Sequence, residues 1–200
     1  GIFENWSHPR HILHLTSENL LDWTYRSTLD LACDKVIDAC VYRLGDGTWR
    51  MWYNNEKDNK SIYYADSEDL YHWQDKGKAV GDHRGEGPVV FEWNGFLWMV
   101  VDNWDGLGVY RSEDAEDWQR QPYNLLQGEG SGPDDGAQGH HADVVVDGDR
   151  VYLFYFTHPG QRDGSNPRRS SIQVTELGSA DGWLRCDRDV PTVIDLSAHP

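Results

Sequence analysis

Apolar positions come in short runs along this chain, and the runs are paired across tight polar turns. Asp38-Ala39-Cys40-Val41-Tyr42 leads through Gly45-Asp46-Gly47 into Trp49-Arg50-Met51-Trp52-Tyr53. Glu86-Gly87-Pro88-Val89-Val90-Phe91 leads through Asn94-Gly95 into Phe96-Leu97-Trp98-Met99-Val100-Val101. His141-Ala142-Asp143-Val144-Val145-Val146 leads through Asp147-Gly148-Asp149 into Val151-Tyr152-Leu153-Phe154-Tyr155-Phe156. Each segment reads as strand, Gly turn, strand, the signal of a hairpin, and the three align without gaps. The pattern predicts strands over 36–43, 48–55, 61–66, 87–93, 96–102, 107–111, 141–147 and 150–157. No amphipathic helix of three turns or more is expected.

A second motif follows the hairpins. Ser17-Glu18-Asn19 runs to Trp23, Ser67-Glu68-Asp69 to Trp73, and Ser112-Glu113-Asp114 to Trp118, at spacings of 50 and 45 residues. Thr175-Glu176-Leu177 with Trp183 reads as a degenerate fourth copy. Ser, Asp and Asn close tight turns by bonding nearby backbone, so the motif should end a third strand and open a fourth. Four short antiparallel strands per repeat is the pattern of β-propeller blades. The expected fold is all-β, one propeller domain over 1–200, with four-stranded antiparallel blades at 34–80, 84–127 and 139–196. A partial blade at 6–31 leaves the ring incomplete. A β-sandwich is the alternative, but it does not predict repeats at this period. The Gly-rich stretch 128–139 and the segment 159–169 read as loops.

Composition narrows the partners. The chain carries 34 acidic against 18 basic residues, a net charge of −16, which repels phosphate backbones and anionic lipid. Nucleic acid and membrane are therefore not expected partners, and no apolar run approaches the roughly 20 residues a bilayer requires. No stretch reads as a signal peptide, and the chain begins with Gly1, so a cytoplasmic protein and a secreted one with its signal removed both remain open. Cys33, Cys40 and Cys186 are an odd number without Cys-x-x-Cys spacing, which argues for buried thiols rather than disulfides or structural zinc. The ten Trp and ten Tyr suit strand packing, and they also suit stacking on sugar rings.

Asp38, Glu86 and His141 head the first strands of the three aligned hairpins. Such residues in a propeller line the central channel, where a converging cluster can do acid–base chemistry. Arg84 precedes Glu86 by two residues and reads either as a surface ion pair or as a ligand for substrate hydroxyls. Trp104, just after a second strand, reads as a sugar platform. His140, His141 and Asp143 are close in sequence, but strand alternation puts His140 on the opposite face, so no metal site is expected from them. Nucleophile elbows and phosphate-binding glycine loops are missing from the sequence.

Glu86-Gly87-Pro88 resembles the Glu-x-Pro segment of glycoside hydrolase families 43 and 32. Asp38 resembles the Asp that tunes the acid in those families. Asn5-Trp6-Ser7-His8, running on to Ser17 through Trp23, resembles the end of the first blade in family 32. His141 resembles the central His of family 43, which often stands by a bound ion or water. The resemblance implies a glycosidase acting on furanosides or xylosides without a cofactor, with Glu86 as general acid and Asp38 as the like charge that keeps it protonated. His141, Arg84 and Trp104 would bind substrate. One departure is clear. The inner-strand residue precedes the motif Ser by 29 positions (Asp38 to Ser67) or 26 (Glu86 to Ser112), and the same count back from Ser17 falls before residue 1. The first-blade carboxylate that serves these families as base or nucleophile has no counterpart in the sequence. A catalytically silent carbohydrate-binding propeller, or a fragment lacking the first-blade catalytic Asp, is therefore the second expectation. A purely structural repeat protein is a third, against which the cluster of Asp38, Glu86 and His141 argues; in any of these readings, self-association or a partner covering the open blade edge is expected.

Overall fold

The chain's hairpins are held by turns of two kinds, and a computed structural model describing residues 8–160, 164, 166 and 169–194 shows both. Asn5, Trp6 and Ser7 lie outside the described residues, as do the outer limits of the blades expected at 6–31 and 139–196. The expectation of an all-β fold holds. Fourteen strands occur among the described residues, and none of their helices is long and apolar enough to cross a membrane. The chain divides into two compact units, residues 1–87 and 88–200.

In the first unit, β1 (Leu13–Thr16) and β2 (Thr24–Thr28) form a two-stranded antiparallel sheet. β3 (Val36–Arg43), β4 (Trp49–Asn55), β5 (Ser61–Ser67) and β6 (Gln74–Val80) form a four-stranded meander. Arg50 through Asn55 on β4 are all buried, because the strand has neighbours on both edges and packing on both faces. That explains why it reads as a nearly continuous apolar run rather than an alternating one. Leu29, Val36, Met51, Tyr53 and Ala65 make a core, against which Ile12, Leu31, Cys33, Tyr63 and Trp73 pack. Arg50 is buried on β4 but satisfied: its Nε and one terminal nitrogen donate to Asp66 Oδ1 and Oδ2 at 2.7 and 2.9 Å, across the register pair Arg50–Asp66. On β1 and β2, by contrast, Leu13, Leu15 and Tyr25 remain exposed.

The second unit holds β7 (Glu86–Trp93), whose first two residues belong to the first unit, with β8 (Phe96–Asp102), β9 (Leu107–Ser112) and β10 (Gln119–Arg120) in the order β10-β9-β8-β7. Its second sheet is β11 (His140–Asp147), β12 (Arg150–Thr157), β13 (Ser171–Ala180) and β14 (Trp183–Cys186). The strands of these hairpins run different distances into their turns. Two residues, Asn94-Gly95, join β7 to β8, whereas five, 44–48, join β3 to β4. The degenerate fourth motif is corrected. Thr175, Glu176 and Leu177 lie inside β13, which continues to Ala180. The turn is instead Asp181-Gly182, both at positive φ (55° and 78°), a two-residue hairpin turn that Gly makes inexpensive.

The three Ser-x-Asx motifs close by one repeated network. Ser67 Oγ accepts from the Asp69 and Leu70 amides at 3.2 and 2.9 Å, and Asp69 Oδ1 accepts from the Tyr71 and His72 amides at 2.8 Å each. Ser112 with Asp114, and Ser17 with Asn19, repeat it. The network holds Leu20, Leu70 and Ala115 at φ of 61°, 67° and 65°, a left-handed conformation that costs an ordinary residue roughly 1–2 kcal/mol. The His72 ring and the turn amides hold Asp69 well below the usual carboxylate range. The Asp117 and Glu116 amides lower the titration of Asp114 in the same direction. A depressed carboxylate lends stability above its unfolded-state value and loses it as the pH falls through the folded-state one, so these turns should loosen only in strong acid. Ser112 and Ala115 are buried, so Ser112→Ala should cost about 1–2 kcal/mol in urea unfolding, for two lost acceptor bonds. Ser17→Ala, in an exposed turn, should cost less. Equal losses at the two sites would refute the burial argument.

Candidate functional site

Asp38 does not lie in a regular stretch of β3. The β3–β4 register slips between Ile37 and Cys40, and Asp38 takes a φ of 58°, a conformation Asp tolerates better than most residues. The bulge re-aims its side chain, and Asp38 Oδ2 accepts from the Gly87 amide at 3.2 Å. A carboxylate oxygen of Asp38 and one of Glu86 lie within 4.8 Å of each other. The two acids that the sequence singled out are therefore brought together, both in the first unit.

Backbone ties aim Glu86. The residue before it, Gly85, donates its amide to the Lys60 carbonyl at 3.0 Å and accepts from Asn54 Nδ2 at 2.5 Å. The residue after it, Gly87, is held by Asp38 and has a φ of 57°. Glu86 is thus clamped on both sides, which is what a reacting carboxylate requires of its support. Asn54 is fully buried on β4 and is one of two residues here that sequence reading missed. A polar residue inside an apolar strand is the signal that could have found it. The other is Lys60, whose Nζ donates to Glu86 Oε2 at 2.5 Å. Arg84 sits exposed in the coil just ahead of β7.

His141 and Trp104 belong to the second unit, where a residue not singled out, Asp102, organises both. Asp102 is buried at the end of β8. Its Oδ1 accepts from the Trp104 amide at 2.8 Å, and its Oδ2 accepts from the His141 amide at 3.1 Å and meets His140 Nδ1 at 3.1 Å. Trp104 is half-buried at a φ of 57°, and its carbonyl accepts from Gln138 Nε2 at 2.6 Å. His141, with a φ of 26°, stands in a bulge between His140 and Asp143, so it occupies the same place in its sheet as Asp38 does in its own. The bulge also corrects the expected alternation. His140 and His141 both lie against the Phe156 ring, at 5.5 and 6.0 Å between centroids. The three cysteines are free and half-buried, and burial pushes the Cys186 thiol up to about 12.

No family model matches the chain, and no curated protein matches it. Solved structures do. A thermostable family-43 glycoside hydrolase aligns with a TM-score of 0.67 at 20% identity, over 90% of this chain and 67% of its own. An endo-1,4-β-xylanase from Bacteroides thetaiotaomicron aligns at 0.62 and 17%, over 82% and 62%. A family-32 β-fructofuranosidase of Bombyx mori, solved with sucrose, aligns at 0.63 and 15%, over 88% of this chain and 43% of its own. The chain thus spans between about two fifths and two thirds of the length of these proteins. Repeated four-stranded antiparallel sheets and these alignments lead to one conclusion: the chain has the β-propeller fold of the family-43 and family-32 glycoside hydrolases.

Proposed function

We propose that this chain is a glycoside hydrolase-like propeller that cleaves O-glycosidic bonds of furanosides or xylosides, with Glu86 as the general acid. The observation that carries the reading is the placement of Asp38 beside Glu86, with the backbone on either side of Glu86 fastened. Hydrolysis needs a carboxylic acid to protonate the leaving oxygen, and a neighbouring carboxylate favours the protonated form. Asp38 is the modulator in this reading. His141 and Trp104, both fixed by Asp102, are assigned to substrate, and Arg84 is its exposed candidate partner. The fold likeness to proteins named for xylan and sucrose chemistry supports the class of substrate.

A second reading, a carbohydrate-binding propeller without turnover, is favoured by one observation: the Lys60 ammonium on Glu86 opposes protonation of the acid. Calorimetric titration with xylo- and arabino-oligosaccharides, alongside release of reducing sugar, separates the two. The proposal expects binding and cleavage. Binding without cleavage would support the second reading, and no binding of any pentose oligosaccharide would overturn both.

A further inference from the structure

Lys60 does more than touch Glu86. Its Nζ also lies 3.4 Å from Glu56 Oε1, so one ammonium is divided between two carboxylates. The Lys60 and Glu86 side chains are 23% and 18% exposed, enough shielding for the pair to matter electrostatically. Lys60 ends the turn between β4 and β5, where Asn59 and Lys60 have φ of 50° and 54°. Two successive left-handed residues fix the direction in which the lysine leaves the backbone. Its carbonyl meanwhile holds Gly85, so backbone and side chain of one residue both act on the strand start that carries Glu86.

Within the first unit, Asp38 from β3 and Lys60 from this turn both bring charge close to Glu86. Glu56 stands behind Lys60, and Arg10 in turn donates to Glu56. Asp38 favours the neutral form of Glu86, whereas Lys60 favours the ionised form. Lys60 is in direct contact, while Asp38 makes its hydrogen bond to Gly87. We propose that Lys60 is a positioning residue that sets the protonation of Glu86, and that Glu56 moderates it by sharing the same ammonium. The proposal rests on the reading of Glu86 as the acid, but its test does not depend on turnover.

The test follows the Glu86 carboxyl carbon by NMR titration of the ¹³C-glutamate-labelled protein, with the signal assigned by its loss in Glu86→Gln. Lys60→Met should move the midpoint up by about one pH unit or more, the usual size of an opposite-charge effect at contact. Lys60→Arg, which keeps the charge, should stay near the parent. Glu56→Gln should move the midpoint down, because the whole ammonium then serves Glu86. Melting curves show which variants are folded, and the Lys60→Arg and Glu56→Gln pair still decides the matter if Lys60→Met is not. An unmoved midpoint in folded Lys60→Met, or a shift in Lys60→Arg as large, would overturn the proposal. In an active protein, the alkaline limb of kcat/KM should rise in Lys60→Met together with the NMR midpoint. If the midpoint moves while no glycoside is cleaved, Lys60 keeps its role and the hydrolase reading falls.

Discussion

Glu86→Gln is expected to lower hydrolysis about 10²–10⁴-fold on glycosides with poor leaving groups, the usual contribution of general acid catalysis. Glutamine retains the shape and can still meet Lys60 through its carbonyl oxygen, so the clamps at Gly85 and Gly87 should survive and the melting point should barely change. It has no proton to deliver to the leaving oxygen. Aryl glycosides with good leaving groups need less protonation and should lose correspondingly less, and that split marks an acid rather than a merely structural residue. Because the acid must be protonated, activity should fall as the pH rises through its titration. Asp38→Asn should move that fall to lower pH, since it removes a like charge. Hydrolysis that survives Glu86→Gln unchanged on every substrate would show that the acid lies elsewhere.

Arg188→Met should destabilise the protein by about 3–5 kcal/mol, the usual result of removing one partner of a buried ion pair. Arg188 and Asp135 have side chains only 8% and 3% exposed. Arg188 donates through two nitrogens to Asp135, and it also donates to the carbonyls of Gly128, Asp135 and Ala137 at 2.7, 3.2 and 2.9 Å. Tyr155 on β12 donates its hydroxyl to the same carboxylate at 3.0 Å. Burial, together with that anion, pushes the phenol's titration well above its ordinary value. A single arginine thus fastens the 128–139 loop onto the second unit. Methionine would leave the Asp135 carboxylate buried with the tyrosine as its remaining side-chain donor, and the carbonyls of Gly128 and Ala137 would lose the arginine's hydrogen bonds, while that of Asp135 keeps the Gly130 amide. Urea unfolding measures the loss, and adding Asp135→Asn to Arg188→Met should recover part of it, because the orphaned charge is gone. A cost under about 1 kcal/mol would mean that water reaches the pair and replaces it.

Strand positions were legible in the sequence because each rests on a local signal. β3 and β8 begin and end where the hairpin pattern puts them, and β5 and β9 end on the motif serines. The pairing of Asp38 with Glu86 was legible through the repeat. The long-range side-chain pairs were not. Lys60 reaches Glu86 across 26 residues and Arg188 reaches Asp135 across 53, and neither pair follows a period. The bulges at Asp38 and His141 were hidden for another reason. A bulge leaves composition unchanged and alters only the register, so alternation placed His140 on the wrong face. The loop 128–139 read as slack because it is rich in glycine. At Gly130 the reason is packing, since a Cβ there would collide with the Asp135 carboxylate and Arg188 Nε.

Each strand in these sheets pairs with its neighbour in the sequence, and that order bears on how the chain folds. Apart from the span between β12 and β13, the connections within a four-stranded sheet are two to six residues long. Closing such loops costs little chain entropy, so contact order is low for an all-β protein and hairpins can form without waiting for distant segments. Each four-stranded sheet is then a natural cooperative unit in hydrogen exchange. The pair β1–β2 lacks that support. With two strands and exposed Leu13, Leu15 and Tyr25, its amides should exchange first, before the sheet of β3 to β6 gives up any of its own.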